Sequence, residues 1–306
     1  NIISKLTRSK NIENAISLRV RDQYEYNPYP RWKIIGSHIK PLSIKEIVSQ
    51  SSLKLIDKKI ENISSPKILI AGCGTGQHSL MTAKLFKNSK VTAIDLSLNS
   101  LGYAKRKSNE YNQKNINYMQ VDLLNLSKLN QTFDIIECSG VLHHMENPFN
   151  GLKELVKCLK PGGLMKIGLY SSIAREHIFK VRKEIKKLNL NSENKTIKSF
   201  RTKIFVSKLD HHKKLLNSPD FYDLNGVRDL IFHEQEHVFN LLEIKDYLTQ
   251  LSLKFSGFDN FEINKVFKLS YTNENDVYDL TKWSKIEEKN PNIFSRMYQF
   301  WVQKSS

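Results

Sequence analysis

Between residues 67 and 170, short uninterrupted apolar runs alternate with segments whose apolar positions recur every three or four residues. The runs at residues 67–71, 91–94, 116–121, 133–138 and 164–170 have the length and composition of strands buried on both faces. The segments at 77–86, 98–111 and 148–159 carry the helical period. Such alternation predicts a parallel sheet joined by right-handed crossover helices. Ahead of it, Leu42, Ile44, Ile47 and Val48, followed by Leu53, Leu55, Ile56 and Ile60, predict a helical pair leading into the sheet. Beyond it, Leu242, Ile244, Tyr247, Leu248 and Leu251 predict an amphipathic helix, and residues 253–258 a sixth strand. A last strand is expected at or near residues 261–268. The aromatic stretch 294–301 needs burial and is expected to close the chain as a helix.

Composition narrows the class. A chain of 306 residues can bury a large core as one domain or one domain with a substantial addition. Three cysteines without framework spacing point to a reducing compartment. There is no apolar run of membrane length and no secretory h-region, so a cytoplasmic protein without a membrane partner is expected. The formal net charge is +17, and residues 175–214 hold thirteen Lys and Arg against four Asp and Glu. This could favour RNA or another polyanion, but the segment lacks the aromatic interleaving of a stacking platform. A small-molecule acceptor is therefore favoured over nucleic acid.

Candidate chemistry sits where the predicted strands end. The run Lys67-Ile68-Leu69-Ile70-Ala71 enters Gly72-Cys73-Gly74-Thr75-Gly76, where glycines let the backbone approach a ligand at a helix N-terminus. Glycines at the first, third and fifth positions, with Gln77 at the sixth, depart from the dinucleotide fingerprint and argue against NAD. Asp95, at the tip of the second strand, can accept two hydrogen bonds from a ribose diol. Asp122, at the end of the next, can accept from an adenine amino group.

Together these segments resemble a class I S-adenosylmethionine-dependent methyltransferase. Ile70 through Gly76 resembles the family's first motif, Ala93-Ile94-Asp95 its second and Gln120-Val121-Asp122 its third. Phe133-Asp134-Ile135-Ile136-Glu137-Cys138-Ser139-Gly140-Val141-Leu142-His143-His144 resembles its fourth, and Leu159-Lys160-Pro161-Gly162-Gly163-Leu164 the turn before its fifth strand. The resemblance implies a doubly wound, mostly parallel seven-stranded Rossmann-like α/β sheet, with one of two final strands antiparallel. It also implies S-adenosyl-L-methionine as cofactor and S-adenosyl-L-homocysteine as product. Gly72, Gly74 and Gly76 would admit the methionine moiety, Asp95 the ribose and Asp122 the adenine. Cys73, Gln77, Leu96, Leu123, Ser139, Gly140 and Val141 complete the expected cofactor wall. The chain ends are similar to bacterial methyltransferases sometimes fused to tetratricopeptide repeats.

The acceptor side is read from the remaining polar and aromatic residues. His143, His144, Tyr170 and His237 are the candidate catalytic groups, histidine being suited to proton abstraction near neutral pH. Tyr24, Tyr29, Arg31, Tyr170, Ser171, Arg175, Gln235 and His237 are the candidate acceptor contacts. An arginine there could pair with an acidic acceptor. His233-Glu234-Gln235-Glu236-His237 formally matches a zinc-helix motif. With no third ligand at a recognisable distance, no metal is expected. The expected division is an N-terminal arm and aromatic loop (1–62), a cofactor-binding core (63–174), a helical insertion shaping the acceptor pocket (175–240), and closing elements of the core (241–306). The leading function is methyl transfer to a small or medium-sized acceptor that could be acidic. RNA methylation and a non-catalytic S-adenosylmethionine-binding scaffold are the alternatives.

Overall fold

The computed structural model describes residues 2–8, 12–36, 39–295 and 297–305. A two-residue edge strand β1 (Thr7–Arg8) and helices α1 (Ala15–Tyr26) and α2 (Ile44–Gln50) precede the alternating region. That region runs β2 (Lys67–Ala71), α3 (Gln77–Leu85), β3 (Lys90–Asp95), α4 (Leu98–Glu110), β4 (Ile116–Gln120), β5 (Phe133–Ser139), α5 (Pro148–Cys158) and β6 (Leu159–Leu169). Four helices follow: α6 (Glu176–Lys187), α7 (Asn194–Val206), α8 (Asp210–Leu215) and α9 (Leu224–Ile231). The chain then returns through α10 (Leu241–Gln250), β7 (Leu253–Phe258), α11 (Phe261–Lys268), α12 (Leu280–Lys289) and β8 (Tyr298–Lys304).

The strands form one sheet in the order β1-β4-β3-β2-β5-β6-β8-β7. β8 pairs antiparallel with both β6 and β7, and the other pairings are parallel. Seven strands thus make the doubly wound frame, and β1 adds a short margin. The uninterrupted apolar runs have a direct cause in the two covered faces. Leu69, Ala71, Ile136 and Ile167 pack toward α5, α10 and α12, whereas Ile68, Ile70, Ala93 and Ile135 pack toward α2, α3 and α4.

Three expectations are corrected. Residues 261–268 form α11, with Ile263 and Phe267 buried one helical turn apart, instead of a strand. The expected closing helix at 294–301 is replaced by β8, which begins at Tyr298 and fills the gap between β6 and β7. The second member of the early helical pair is a short 3-10 turn at Lys58–Asn62. The turn at residues 160–163 lies inside β6, where the pairing with β5 jumps from Phe133↔Leu159 to Ile135↔Leu164.

Helices α6 to α9 have an apolar core of their own, built on Ile178, Val181, Ile197, Phe200, Leu215, Phe221 and Val227. The segment that follows returns beside its starting point. Phe239 N–H donates to Tyr170 O at 2.9 Å and Ser172 N–H to Phe239 O at 2.8 Å. The four helices therefore stand over the carboxyl end of β6, where ligands bind in open α/β sheets. Among the described residues no helix is long and apolar enough to cross a membrane.

Candidate active site

A cleft of about 490 Å³ opens along the carboxyl ends of β2 to β6. One wall is the glycine turn. Cys73 N–H donates to Ile94 O and Gly76 N–H to Cys73 O, both at 2.9 Å, which folds the turn back across β3. Gly72 and Gly74 have left-handed φ values of 68° and 51°. A Cβ on Gly72 would stand 2.1 Å from Val141 Cγ2, and one on Gly74 2.7 Å from Tyr29 O. Both positions therefore require glycine for space as well as for conformation. Gly76 is different: it does not line the cleft, and its missing Cβ makes room for Ala104 of α4. At this position the glycine serves the packing of the turn against α4.

Asp95 closes this wall. Its Oδ2 accepts from Gly74 N–H at 2.8 Å and its Oδ1 from Ser97 N–H at 2.9 Å, while desolvation raises its pKa. Ser97 donates in turn to Glu25 Oε2 and the carbonyl of Tyr24, fastening the end of α1 to the end of β3. Asp122 caps the following 3-10 turn through Oδ1, which accepts from Leu124 N–H at 3.0 Å. Its Oδ2 is buried and has no partner among the described residues. A buried carboxylate oxygen without a donor is costly, and an adenine amino group would satisfy it. These features fit the cofactor implied by the resemblance. Gly72, Cys73, Gly74, Gln77, Asp95, Leu96, Asp122, Leu123, Ser139, Gly140 and Val141 all line the cleft.

The aromatic loop and the four-helix layer supply the other wall. Trp32 Nε1 donates to Thr75 Oγ1 at 3.1 Å, docking the loop on the glycine turn. Arg228 of α9 bonds Asn27 Oδ1 at 3.0 Å, and Tyr29 Oη donates to Asp220 Oδ1 at 3.1 Å. These bonds carry Tyr24, Tyr29, His144, Tyr170 and Asp229 to one end of the cleft.

A polar chain runs through that end. Gln235 N–H donates to His233 Nδ1 at 3.1 Å, which leaves the His233 proton on Nε2, 3.1 Å from Tyr24 Oη. Tyr24 Oη then donates to Asp229 Oδ1 at 2.7 Å. Desolvation pushes the Asp229 carboxyl up to about 6, although the Tyr24 hydrogen bond works against it. Asp229 therefore titrates near neutrality at the cleft wall. We expect Tyr24→Phe to raise its midpoint further, because the removed hydroxyl stabilised the ionised form. Carboxyl ¹³C NMR of Asp229 would read this shift, and an unchanged or lower midpoint would contradict the chain described.

The histidines expected to act as bases are placed differently. His143 is fully buried, stacks on Tyr170 at 4.0 Å and has neither ring nitrogen bonded among the described residues. Burial first, and neighbouring basic groups second, hold its pKa well below the usual imidazole range. His144 reaches the cleft, stacked at 3.6 Å on His233, with Nδ1 fixed 2.7 Å from the carbonyl of Gln235. Desolvation pushes its pKa down to about 3, so it is a poor proton acceptor.

Other expected contacts do not line the cleft. Arg31 is exposed. Ser171 is buried and donates to Glu287. Arg175 lies 3.5 Å over the Tyr170 ring and is held in a bidentate pair by Glu236, at 3.0 and 2.7 Å. Gln235 and His237 bond each other at 2.9 Å through their side chains, and His237 N–H donates to the carbonyl of His143. The zinc-helix pattern dissolves because α9 ends at Ile231 and residues 233–237 are non-helical, so His233 and His237 do not share a helical face. Asp229, His78, Lys166, Met297 and Gln299, none of them marked by a motif as a candidate, also line the cleft.

Residues 68–163 match the family model described as a methyltransferase domain. A Synechococcus sp. protein, syc1184_c, is 29% identical over 79% of this chain and 61% of its own length. The ubiquinone biosynthesis O-methyltransferase of Coxiella burnetii is 32% identical over 48% of this chain and 64% of its own length. This chain thus spans less than two thirds of these relatives. Among solved structures, PKMT2 from Rickettsia typhi in complex with AdoHcy has a TM-score of 0.62 at 16% identity, covering 91% of this chain and 55% of that one. At that identity the likeness is one of fold.

Proposed function

With residues 68–163 a class I S-adenosylmethionine-dependent methyltransferase domain, we propose that the whole chain moves the methyl group of S-adenosylmethionine to a small or medium-sized acceptor. The acceptor would present an O–H or N–H group to Asp229. S-adenosylmethionine supplies an electrophilic methyl group on a sulfonium. Gly72 and Gly74 would leave space for its amino-acid moiety, Asp95 would accept from the ribose and Asp122 from the adenine. In-line transfer asks the protein chiefly for alignment. Tyr24, Tyr29 and Tyr170 give the acceptor aromatic surface, and Asp229 takes the proton that the nucleophile loses.

One observation carries this reading: the His233–Tyr24–Asp229 chain ends in a carboxylate with a pKa of about 6 at the cleft wall. It also changes the expected acceptor. The acidic acceptor rested on a free arginine, but Glu236 occupies Arg175 and the cleft presents Asp229 instead. On this ground we favour a neutral or cationic acceptor. The name of the Coxiella burnetii relative, an O-methyltransferase of ubiquinone biosynthesis, supports a small molecule bearing a hydroxyl.

The test is incubation with methyl-labelled S-adenosylmethionine and a cell extract, followed by separation into small-molecule, RNA and protein fractions. Label is expected in the small-molecule fraction. Ribonuclease-sensitive label in the RNA fraction would transfer the assignment to the basic 175–214 face. Cofactor binding with no label in any fraction would make the chain a binding protein.

A further inference from the structure

Away from the cleft, a second set of donors converges between α6 and α8 of the four-helix layer. Glu184 of α6 faces His211 and His212 of α8. His212 Nε2 lies 2.9 Å from Glu184 Oε2, and His211 Nε2 contacts Oε1. The same nitrogen of two rings is thus turned on the two oxygens of one carboxylate. Neighbouring residues on a helix project about 100° apart, so this convergence needs both side chains to swing toward α6. The rings meet edge to face at 4.6 Å and 64°.

The rest of the cluster resembles the surroundings of a metal ligand. His212 Nδ1 lies 2.8 Å from Ser207 Oγ, and its ring meets the edge-to-face partner Phe200 at 6.4 Å. A hydrogen bond on the other ring nitrogen is what orients a metal-bound histidine. One donor atom from each of Glu184, His211 and His212 lies within 4.8 Å of the others. His212 is nearly buried, while His211 and Glu184 keep side-chain exposures of 20% and 31%, leaving a route from solvent. Two imidazoles and one carboxylate form a set that suits Zn²⁺ with a water in the fourth position, rather than Mg²⁺ or Ca²⁺.

We propose that Glu184, His211 and His212 bind a zinc ion that fastens α8 to α6. The consequence for the cleft is mechanical. Arg182, on the same helix as Glu184, donates to the carbonyl of His233 at 2.7 Å, and Arg175 at the start of that helix holds Glu236. A metal that fixes α6 therefore steadies the segment behind Tyr24 and Asp229 without entering the chemistry.

Calorimetric titration of the chelator-stripped chain with ZnCl₂ tests this. One ion per chain is expected, with Kd below about 10 µM at neutral pH. The His211→Ala/His212→Ala double variant should bind at least roughly 100-fold more weakly. Glu184→Gln keeps the side chain's shape if the double variant folds poorly, and it should lose roughly tenfold or more. Zinc should also raise the Tm of the wild-type chain, and raise that of either variant by less at the same zinc concentration. His144, Asp229 and His233 form the other donor group among the described residues. Asp229→Asn must therefore leave zinc stoichiometry and affinity intact. No zinc uptake, uptake that survives the His211 and His212 changes, or uptake lost with Asp229 would each overturn the proposal.

Discussion

Asp95→Ala is expected to weaken S-adenosylmethionine binding by about 10²–10⁴-fold, the size of losing two hydrogen bonds to a charged group. The carboxylate works in two directions. Within the protein it holds Gly74 N–H and Ser97 N–H, so that the glycine turn and the start of α4 share one anchor. Toward the cleft, in the function proposed above, its remaining lone pairs would accept from the ribose hydroxyls. Alanine removes both functions and strands two amide donors. Asp95→Asn retains one acceptor oxygen and the side chain's volume, so a loss of roughly tenfold is expected there. Calorimetry with S-adenosylmethionine or S-adenosylhomocysteine measures both variants, and circular dichroism separates lost affinity from lost fold. Affinity within a few-fold of wild type in a folded Asp95→Ala chain would remove Asp95 from the cofactor wall.

That anchor was legible in the sequence because it is local. A buried strand, a glycine turn and an acid at the tip of the next strand are each specified within a few residues, and parallel pairing of β2 with β3 brings Ala71 opposite Ile94 and the acid beside the turn. The final strand was not legible for the opposite reason. β8 lies between β6 and β7, and five of its seven residues are buried, so the alternation of a half-exposed strand is absent. Its aromatic residues then read as a helix needing burial. Residues 261–268 carried the helical spacing Ile263, Val266 and Phe267, which an expected final strand obscured.

The acceptor wall was only partly readable, because its pairings span most of the chain. Tyr24 and Asp229 are separated by 205 positions, and Arg175 and Glu236 by 61. Nothing near Arg175 shows that a carboxylate takes up its guanidinium. Likewise, the spacing of His233 and His237 describes a metal face only if the chain stays helical. Glu236, drawn to Arg175, lies in a segment where the helix has already ended. Asp229 lies four residues before the His233–His237 pattern and belongs to no motif of its own, and only the fold shows that its carboxyl, pushed up to about 6, stands at the cleft wall.

Asp229→Asn is accordingly expected to lower kcat by about 10²–10⁴-fold, the usual contribution of a positioned base. A carboxamide keeps the shape and can still accept from Tyr24, so loss of the wall's packing would not explain the effect. The sign of the pH dependence separates the base from a positioning role. A base must be deprotonated, and the carboxyl titrates at about 6. In the free enzyme, kcat/KM should therefore rise with pH through about 6 and level off above it, falling roughly tenfold per pH unit on the acid side. The positive sulfonium favours the carboxylate form, so the midpoint in kcat should lie below that in kcat/KM. In Asp229→Asn the acid limb should disappear along with most of the rate. His144 cannot produce this limb, because its own pKa is pushed down to about 3. A variant that keeps the wild-type midpoint, or loses KM alone with kcat intact, would return Asp229 to acceptor binding and leave the proton to another group.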